Sequence, residues 1–298
     1  MTVQQAERRG FIVSIVIAVV LSAAALLLGL FTATRVLVFD GAYGVVGIAV
    51  SWASLTASGI ASRDPNGRYP FGRQALVPVI VVVQGIATLA TILFGAGDAI
   101  IVIAAGGKPV DAGVVVGYSA VSAIVSFMFA IWLRRQAAGS DMLAAEAVAW
   151  RAGGIRGLIL TVGAGIALVM AALGATAALN YVDPVLVLLS CVLLAPMPFR
   201  LLKHGMNELL EGAPSAELAR EVDAAAETIR ARFDLQGSQT RCTKVGRKLS
   251  VEVVYLALSG TTIAQVDEVR HALLAELRRD DRDVWATIEF TSDPALVD

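Results

Sequence analysis

Residues 36–60 read VLVFDGAYGVVGIAVSWASLTASGI, an apolar stretch long enough to cross a bilayer as one helix. The ionisable groups within it are the carboxyl of Asp40 and the phenol of Tyr43. A carboxylate at membrane depth costs a few kcal/mol to insert, so acids in such positions are usually functional. Asp40 is therefore the first candidate site residue of the chain.

The apolar character of this stretch extends over most of the chain. Of the 298 residues, 57% are hydrophobic and 16% are charged, whereas soluble domains contain about 25% charged residues. Six runs are predicted to span a membrane, and they are Phe11–Thr32, Val36–Ile60, Ala75–Ala104, Ala112–Leu133, Ala144–Leu173 and Val182–Leu202. These runs lack the period-2 alternation of barrel strands. The sequence thus predicts an all-α six-helix transmembrane domain over residues 1–210.

Basic residues are distributed unevenly between the two sides of these predicted spans. One side carries Arg8, Arg9, Arg63, Arg68, Arg73, Arg134, Arg135, Arg200 and Lys203. The other side carries Arg35 and Lys108. Because basic loops stay in the cytoplasm, we expect both termini to be cytoplasmic. The bilayer is expected to be the cell (inner) membrane, with the first span retained rather than cleaved as a signal peptide.

Residues 211–298 read as a small soluble domain of mixed structure. Ser215 is a predicted N-cap for a helix over Ser215–Arg232, and Thr262 opens a second helix over Ile263–Arg279. Three strands are predicted, at Gly237–Val245, Lys248–Leu258 and Val284–Thr291. The order α-β-β-α-β predicts a cytoplasmic α+β domain with helices on one sheet.

Several function classes are disfavoured by composition and motif. The net charge of −1 argues against a nucleic-acid partner. The sequence shows no Ser/His/Asp set and no phosphate-binding loop, so we expect no enzyme activity and no cofactor. Asp98, Asp111 and Asp183 lie near span ends, where Asp98 is predicted to be interfacial and the other two to cap helices.

Short motifs along the chain carry a family resemblance. In order they are Phe39-Asp40-Gly41, the RYPFG sequence of residues 68–72, Ala145-Glu146-Ala147, YVDP at 181–184, LLEGAP at 209–214, Gly246 and Asp293-Pro294. Together with six spans and the soluble domain, they resemble the cation diffusion facilitator (cation efflux) family. The resemblance implies a homodimer that exports divalent metal cations in exchange for protons, as an antiporter.

The sequence departs from that family where its metal ligands are expected. The resemblance implies two Asp or His ligands, four residues apart, on each of spans two and five. Here the corresponding positions are Asp40 and Gly44 in span two, and Ala149 and Gly153 in span five. Asp40 is the one ligand-type residue that survives, so it is the single metal-binding candidate of a divergent member.

An arginine stands on the ligand face of span five instead. At 100° per residue, Ala149, Gly153 and Arg156 fall within about 60° of one another, with Glu146 on the same side. We therefore predict an intramembrane ion pair between Asp40 and Arg156, the alternative being that Arg156 extends to the cytoplasmic interface. Tyr43, three residues after Asp40, is predicted either to line the same site or to be an interfacial aromatic residue.

Glycines on spans two and five predict how these spans pack. They are Gly44, Gly47, Gly153, Gly154 and Gly157. Small residues let helix backbones approach, so close contact between spans two and five is expected. The alternative is that the same glycines leave room for a larger substrate or for water.

These observations predict a membrane transporter with an altered substrate site. In the first interpretation, a divalent metal cation binds Asp40 together with carbonyls or water, in proton-coupled efflux. The alternatives are a transport-inactive relative that acts as a regulatory or partner subunit, and a transporter of a non-metal solute. The sequence leaves the identity of the ion or solute open.

Overall fold

A computed structural model of the chain describes residues 3–61, 63–108, 111–136, 141–174, 176–246, 248–258, 260–278 and 283–297. The helices are α1 (Val3–Phe31), α2 (Arg35–Ala61), α3 (Leu76–Ala104), α4 (Ala112–Gln136), α5 (Asp141–Ala172), α6 (Thr176–Leu194), α7 (Pro196–Leu209), α8 (Ala216–Arg232) and α9 (Ile263–Leu277). The strands are β1 (Gly237–Val245), β2 (Lys248–Leu256) and β3 (Asp283–Thr291).

The chain packs into two compact units. The first unit combines Met1–Trp52 with Gln84–Phe199, and the second combines Ala53–Val83 with Arg200–Asp298. This division follows how closely the residues pack and does not mark where the chain enters or leaves a bilayer. The predicted domain boundary between residues 210 and 211 stays a prediction.

Helices long and apolar enough to cross a membrane dominate the first 209 residues. Within the described residues they are Arg9–Phe31, Leu76–Ala104, Ala112–Gln136, Glu146–Ala172 and Leu179–Leu209. The prediction of a multi-pass helical membrane protein is therefore confirmed. The predicted count of six spans is not confirmed, because α2 does not belong to this set.

The predicted sixth span is divided between two helices. Pro184 lies inside α6 and has no N–H to donate to the carbonyl of Asn180, four residues earlier. That carbonyl accepts a hydrogen bond from the Lys108 N–H at 2.8 Å instead. α6 ends at Leu194, and α7 begins at Pro196, a position where proline is tolerated because the first helical N–H has no intrahelical acceptor.

The first turn of α2 is joined to α3 and α6 by one acidic network. The carboxylate of Asp183 accepts the backbone N–H groups of Arg35 and Val36 at 2.8 and 2.9 Å. The Arg35 side chain donates to Asp98 Oδ2 at 2.6 Å. Asp183 is only 4% exposed. The predicted capping role of Asp183 is thus correct in kind, but the helix that it caps is α2 rather than its own.

Asp111 caps α4, as predicted. Its Oδ1 accepts the backbone N–H groups of Gly113 and Val114 at 3.0 and 3.3 Å. In contrast to Asp183, Asp111 is exposed. Water can therefore replace its oxygen on these N–H groups if the side chain is removed.

The C-terminal part of the second unit, from α8 to β3, is a three-stranded sheet with helices on one face. β2 is central, antiparallel to β1 and parallel to β3, and α9 forms the crossover between the two parallel strands. Alternate residues of β2 are buried, and they are Leu249, Val251, Val253 and Tyr255. They pack against α8 and α9 through Val222, Ile229, Val269 and Leu273. This period-2 pattern places one face of the sheet in the core.

The predicted α-β-β-α-β order is confirmed, with element ends within two residues of the prediction among the described residues. Ser215 caps α8 by accepting the Leu218 N–H. Thr262 and Gln265 form a reciprocal capping box at the start of α9. The predicted end of the second helix, Arg279, lies outside the described residues.

Removing the cap of α9 is expected to destabilise the C-terminal α+β part measurably. Thr262→Ala leaves the Gln265 N–H without its side-chain acceptor, which typically costs about 1 kcal/mol. Urea unfolding followed by Trp285 fluorescence, with the other three tryptophans replaced by phenylalanine, measures the difference. Thr228→Ala, which removes an exposed hydroxyl inside α8, is the control and should change the free energy of unfolding much less. Equal effects of the two substitutions would contradict the capping role.

Candidate functional site

Asp40 of α2 and Arg156 of α5 form an ion pair inside the first unit. Arg156 Nη2 lies 2.8 Å from Asp40 Oδ1, and the two side chains are 22% and 11% exposed. The ion pair predicted from the sequence is therefore present. Such a pair compensates two charges that would each be costly at membrane depth.

The apolar sequence around Asp40 explains why its carboxylate points inward. Val36, Leu37 and Phe39 are buried in the apolar core of the first unit. Gly41 approaches α1 so closely that a Cβ there would meet the Leu26 N at 2.8 Å and the Ser22 O at 2.9 Å. Asp40 is thus held within the bundle by its neighbours on the helix.

Tyr118 of α4 contacts the second oxygen of Asp40. Its hydroxyl lies 3.2 Å from Asp40 Oδ2 and 3.1 Å from the carbonyl oxygen of Leu21 on α1. The hydroxyl has a single proton to donate, so these two acceptors share or exchange it. Both Asp40 oxygens are consequently engaged by groups of the chain itself.

Tyr118 did not emerge from the sequence as a site residue. The available signal was a polar face on α4, where Tyr118 is followed by Ser119, Ser122 and Ser126. Ser119 and Ser126 are buried, and the Ser119 hydroxyl lies 2.9 Å from the Thr161 hydroxyl of α5. A polar stripe in a span indicates a face that contacts protein rather than lipid.

Tyr43 lies beside the ion pair. The Cζ of Arg156 is 5.4 Å from the centre of the Tyr43 ring, within the range of a cation–π contact. The hydroxyl of Tyr43 lies 3.3 Å from Met197 Sδ. The structure therefore places Tyr43 at the site through its ring rather than through its hydroxyl.

One donor of Arg156 has no acceptor. Arg156 Nη1 is a buried nitrogen atom that has no hydrogen-bond partner among the residues that the structure describes. Leaving a buried polar group unsatisfied typically costs about 1–3 kcal/mol. The guanidinium is thus held by Asp40 on one nitrogen while a second nitrogen can still bind an acceptor.

The remaining predicted site positions are occupied by small residues with different surroundings. A Cβ on Gly44 would collide with the Ser22 hydroxyl of α1. Gly153 is half-buried and faces Ser126 of α4, whose Oγ lies 4.0 Å from the position of a Cβ. Ala149 is exposed. Their role in lining a transport site stays a prediction.

The predicted packing of α2 against α5 through glycines is wrong. Gly154 and Gly157 approach Phe127 and Ala123 of α4, and Gly44 approaches Ser22 of α1. A Cβ on Gly47 would meet nothing within 4 Å. The glycines therefore bring α5 close to α4, and α2 close to α1, while the α2–α5 contact described above is polar.

The described residues contain no group of three or more His, Cys, Asp or Glu side chains that could hold a metal ion. Cys191 is buried with its thiol 3.5 Å from the Ile92 carbonyl. Burial raises the pKa of the Cys242 thiol, and the nearby Asp223 carboxylate raises it further, so this thiol stays protonated at neutral pH. His204 pairs with Glu208 at 3.1 Å. At the Asp40–Arg156 site, the atoms that could bind a cation are the oxygen atoms around Asp40.

A comparison with known families bears on this geometry. Residues 11–210 match the family model described as the cation efflux transmembrane domain. The match runs from within α1 to just past the end of α7 and includes both residues of the ion pair.

Proposed function

Because the chain belongs to the cation efflux family, whose members transport cations across membranes, we propose that it exports a divalent metal cation in exchange for protons. Asp40 is the acidic ligand of this site, and Arg156 is a built-in cation that occupies the site when no substrate is bound. The observation that carries the proposal is the 2.8 Å ion pair between these residues inside the helix bundle.

Substrate and Arg156 compete for the same carboxylate. An arginine does not deprotonate in proteins, so a divalent cation reaches Asp40 only when the guanidinium moves away. The Tyr43 ring next to Arg156 offers a place where the displaced guanidinium keeps a favourable contact. Binding is consequently weaker than at a site with four acidic or histidine ligands.

The ligand atoms near Asp40 favour a hard cation. The Asp40 carboxylate, the Tyr118 hydroxyl and the Leu21 carbonyl bring oxygen atoms from three helices together. Carboxylate, carbonyl and water oxygens suit manganese and magnesium, whereas zinc prefers nitrogen and sulfur ligands. We therefore infer that manganese is preferred over zinc.

A second function is favoured by a different observation. Both Asp40 oxygens are bound by Arg156 and Tyr118 in the described structure, so the site is closed by the chain itself. This arrangement suits a transport-inactive subunit that regulates or partners an active transporter. Because Arg156 also has an unsatisfied donor, transport of an anionic solute is a further alternative.

The assembly and orientation belong to the same proposal. The uneven distribution of Lys and Arg supports cytoplasmic termini in the cell membrane. Antiport by a homodimer agrees with the family resemblance of the motifs.

Transport by reconstituted protein tests the proposal. In liposomes with a proton gradient, manganese uptake is expected to exceed zinc, cobalt and iron uptake. Asp40→Asn should abolish it, because the amide cannot replace the carboxylate as an anionic ligand. Arg151→Gln is the control, since it removes an exposed arginine of α5 outside the site.

The possible results separate the candidate functions. Cation uptake that Asp40→Asn leaves unchanged contradicts the role of this acid. Absence of flux for every cation, with the protein folded, supports the regulatory subunit instead. Flux that is independent of the proton gradient contradicts the proposed coupling.

A further inference from the structure

Three large aromatic side chains of the second unit lie exposed at one place. Tyr69 and Phe71 belong to the loop before α3, and Trp285 belongs to β3. The rings of Phe71 and Trp285 meet edge to face at 6.3 Å. Trp285 follows the buried Val284 on β3, so it lies on the face of the sheet opposite to α8 and α9.

Three basic side chains lie against these rings. The Cζ atoms of Arg73 and Arg68 are 4.4 and 5.7 Å from the centre of the Tyr69 ring. Lys248 Nζ is 4.6 Å from the centre of the Trp285 ring. A ring contact does not use up the N–H donors of an arginine or a lysine. We call the six residues the aromatic–basic patch, and they are Arg68, Tyr69, Phe71, Arg73, Lys248 and Trp285.

The charges of these basic residues are not neutralised by the described part of the chain. None of the three takes part in an ion pair among the described residues. The nearest acids in sequence and register are Asp64, in the same loop, and Asp283, which is aligned with Lys248 in the sheet. Arg63 is a further exposed cation of the loop. The patch and its surroundings therefore keep a net positive charge.

The loop of the patch leads directly into a membrane helix. α3 is long and apolar enough to cross a bilayer and begins at Leu76, three residues after Arg73. A loop so close to the start of a span lies near the lipid headgroups. Tyr and Trp are enriched at that level, and basic residues there are attracted to anionic lipids.

The edge of the sheet is held against the same loop. A Cβ on Gly246, in the turn before β2, would meet the Gln74 carbonyl oxygen at 2.8 Å. The Gly246 N–H donates to Glu208 of α7 at 2.9 Å, and Lys248 Nζ donates to the Phe71 carbonyl oxygen at 3.4 Å. These contacts place the residues that β2 and β3 contribute to the patch beside the start of α3.

We propose that the aromatic–basic patch binds the headgroups of anionic phospholipids and so holds the C-terminal α+β part against the bilayer surface. The three cations contact the lipid phosphates, and the exposed rings lie among the headgroups. The binding is separate from cation transport and does not depend on the Asp40–Arg156 site.

Two observations favour a lipid over a smaller or purely internal partner. A loop that served only to pack on the sheet would bury its aromatic side chains, whereas Phe71 remains 74% exposed. A free phosphate ion would need the cations but not the rings, while a bilayer surface accommodates both. The combination of exposed rings and unneutralised cations beside a span therefore fits an anionic membrane surface.

Trp285 can report which lipid touches the patch. The full chain contains four tryptophans, and Trp52→Phe, Trp132→Phe and Trp150→Phe together leave Trp285 as the reporter. The protein is placed in nanodiscs of one phosphatidylcholine and phosphatidylglycerol mixture. A nitroxide near the headgroup end of an acyl chain is carried by phosphatidylglycerol in one sample and by the same amount of phosphatidylcholine in the other. We expect Trp285 emission to be quenched more by the labelled phosphatidylglycerol.

Variants of the basic residues test whether charge causes this preference. Arg68→Gln, Arg73→Gln and Lys248→Gln should each lower the preference for phosphatidylglycerol about fivefold, which corresponds to about 1 kcal/mol for a basic residue near an anionic surface. Arg73→Lys keeps the charge and should retain most of the preference. Arg220→Gln is the control, because it removes an exposed arginine of α8, on the other side of the sheet.

Each alternative gives a different result. Equal quenching by the two labelled lipids, or no quenching by either, overturns the proposal, as does a preference that survives all three glutamine substitutions together. A preference that inorganic phosphate abolishes, but chloride at the same ionic strength does not, identifies free phosphate as the ligand and also overturns it. Because no transport is measured, failure of manganese uptake counts only against the proposed function.

Discussion

Asp40→Asn is expected to lower the free energy of unfolding of the first unit by about 3–5 kcal/mol, the usual effect of breaking a buried ion pair from one side. The substitution keeps the shape of the side chain and its contact with Tyr118, but leaves the Arg156 guanidinium without its counter-ion. One nitrogen of that guanidinium already has no acceptor. The cost is therefore mainly that of an uncompensated charge inside the bundle.

A second substitution should recover most of this loss. Asp40→Asn combined with Arg156→Met removes both charges and fills the site with a flexible apolar side chain, which is often neutral or stabilising. Denaturant titration in detergent micelles, followed by helical circular dichroism, measures the single and double variants as a cycle. Arg151→Met is the matched control for an exposed arginine on the same helix. Additive effects of the two substitutions would contradict the ion pair.

Asp183→Ala is expected to be about as damaging as Asp40→Asn, at about 1–3 kcal/mol for each of the two donors that it leaves unsatisfied. Its carboxylate accepts the N–H groups of Arg35 and Val36 at the first turn of α2. Because Asp183 is buried, water does not readily take its place. The same titration in micelles measures the loss.

Two comparisons show whether burial is the cause. Asp111→Ala removes a cap of the same kind from α4, but that cap is exposed, so its loss should cost much less. Asp183→Asn keeps one acceptor oxygen and should have an intermediate effect. If Asp111→Ala and Asp183→Ala destabilise the protein equally, desolvation of the α2 N–H groups is not the reason.

The C-terminal α+β part of the chain could be predicted because its signals are local. Ser215 and Thr262 mark helix starts through their own hydrogen bonds, and alternate burial on β2 follows from the sequence period. Gly246, with a φ of +61°, marks the turn between β1 and β2. Each of these signals acts within a few residues, so neighbouring elements do not alter it.

Among the contacts between membrane helices, the sequence predicted the charged one between Asp40 and Arg156 but not the apolar ones. The ion pair between Asp40 and Arg156 could be predicted because each charge is costly alone at membrane depth, although the sequence also allowed Arg156 to extend to the interface. In contrast, α4 and α5 are apolar on most faces, so periodicity does not distinguish a neighbouring helix from lipid. For that reason the sequence predicts the wrong neighbouring helix for the glycines of α5. It also does not identify Tyr118 as a site residue, although Tyr118 contacts Asp40.

The ion pair also bears on how the Asp40–Arg156 site responds to the membrane potential. Moving one elementary charge through the full potential involves about 2.3 kcal/mol per 100 mV. An Asp40 carboxylate without a counter-ion would feel that force whenever the site changed sides. With Arg156 held at 2.8 Å, the pair has no net charge, so under the proposed antiport a step that carries the pair alone is expected to be electrically silent and independent of voltage.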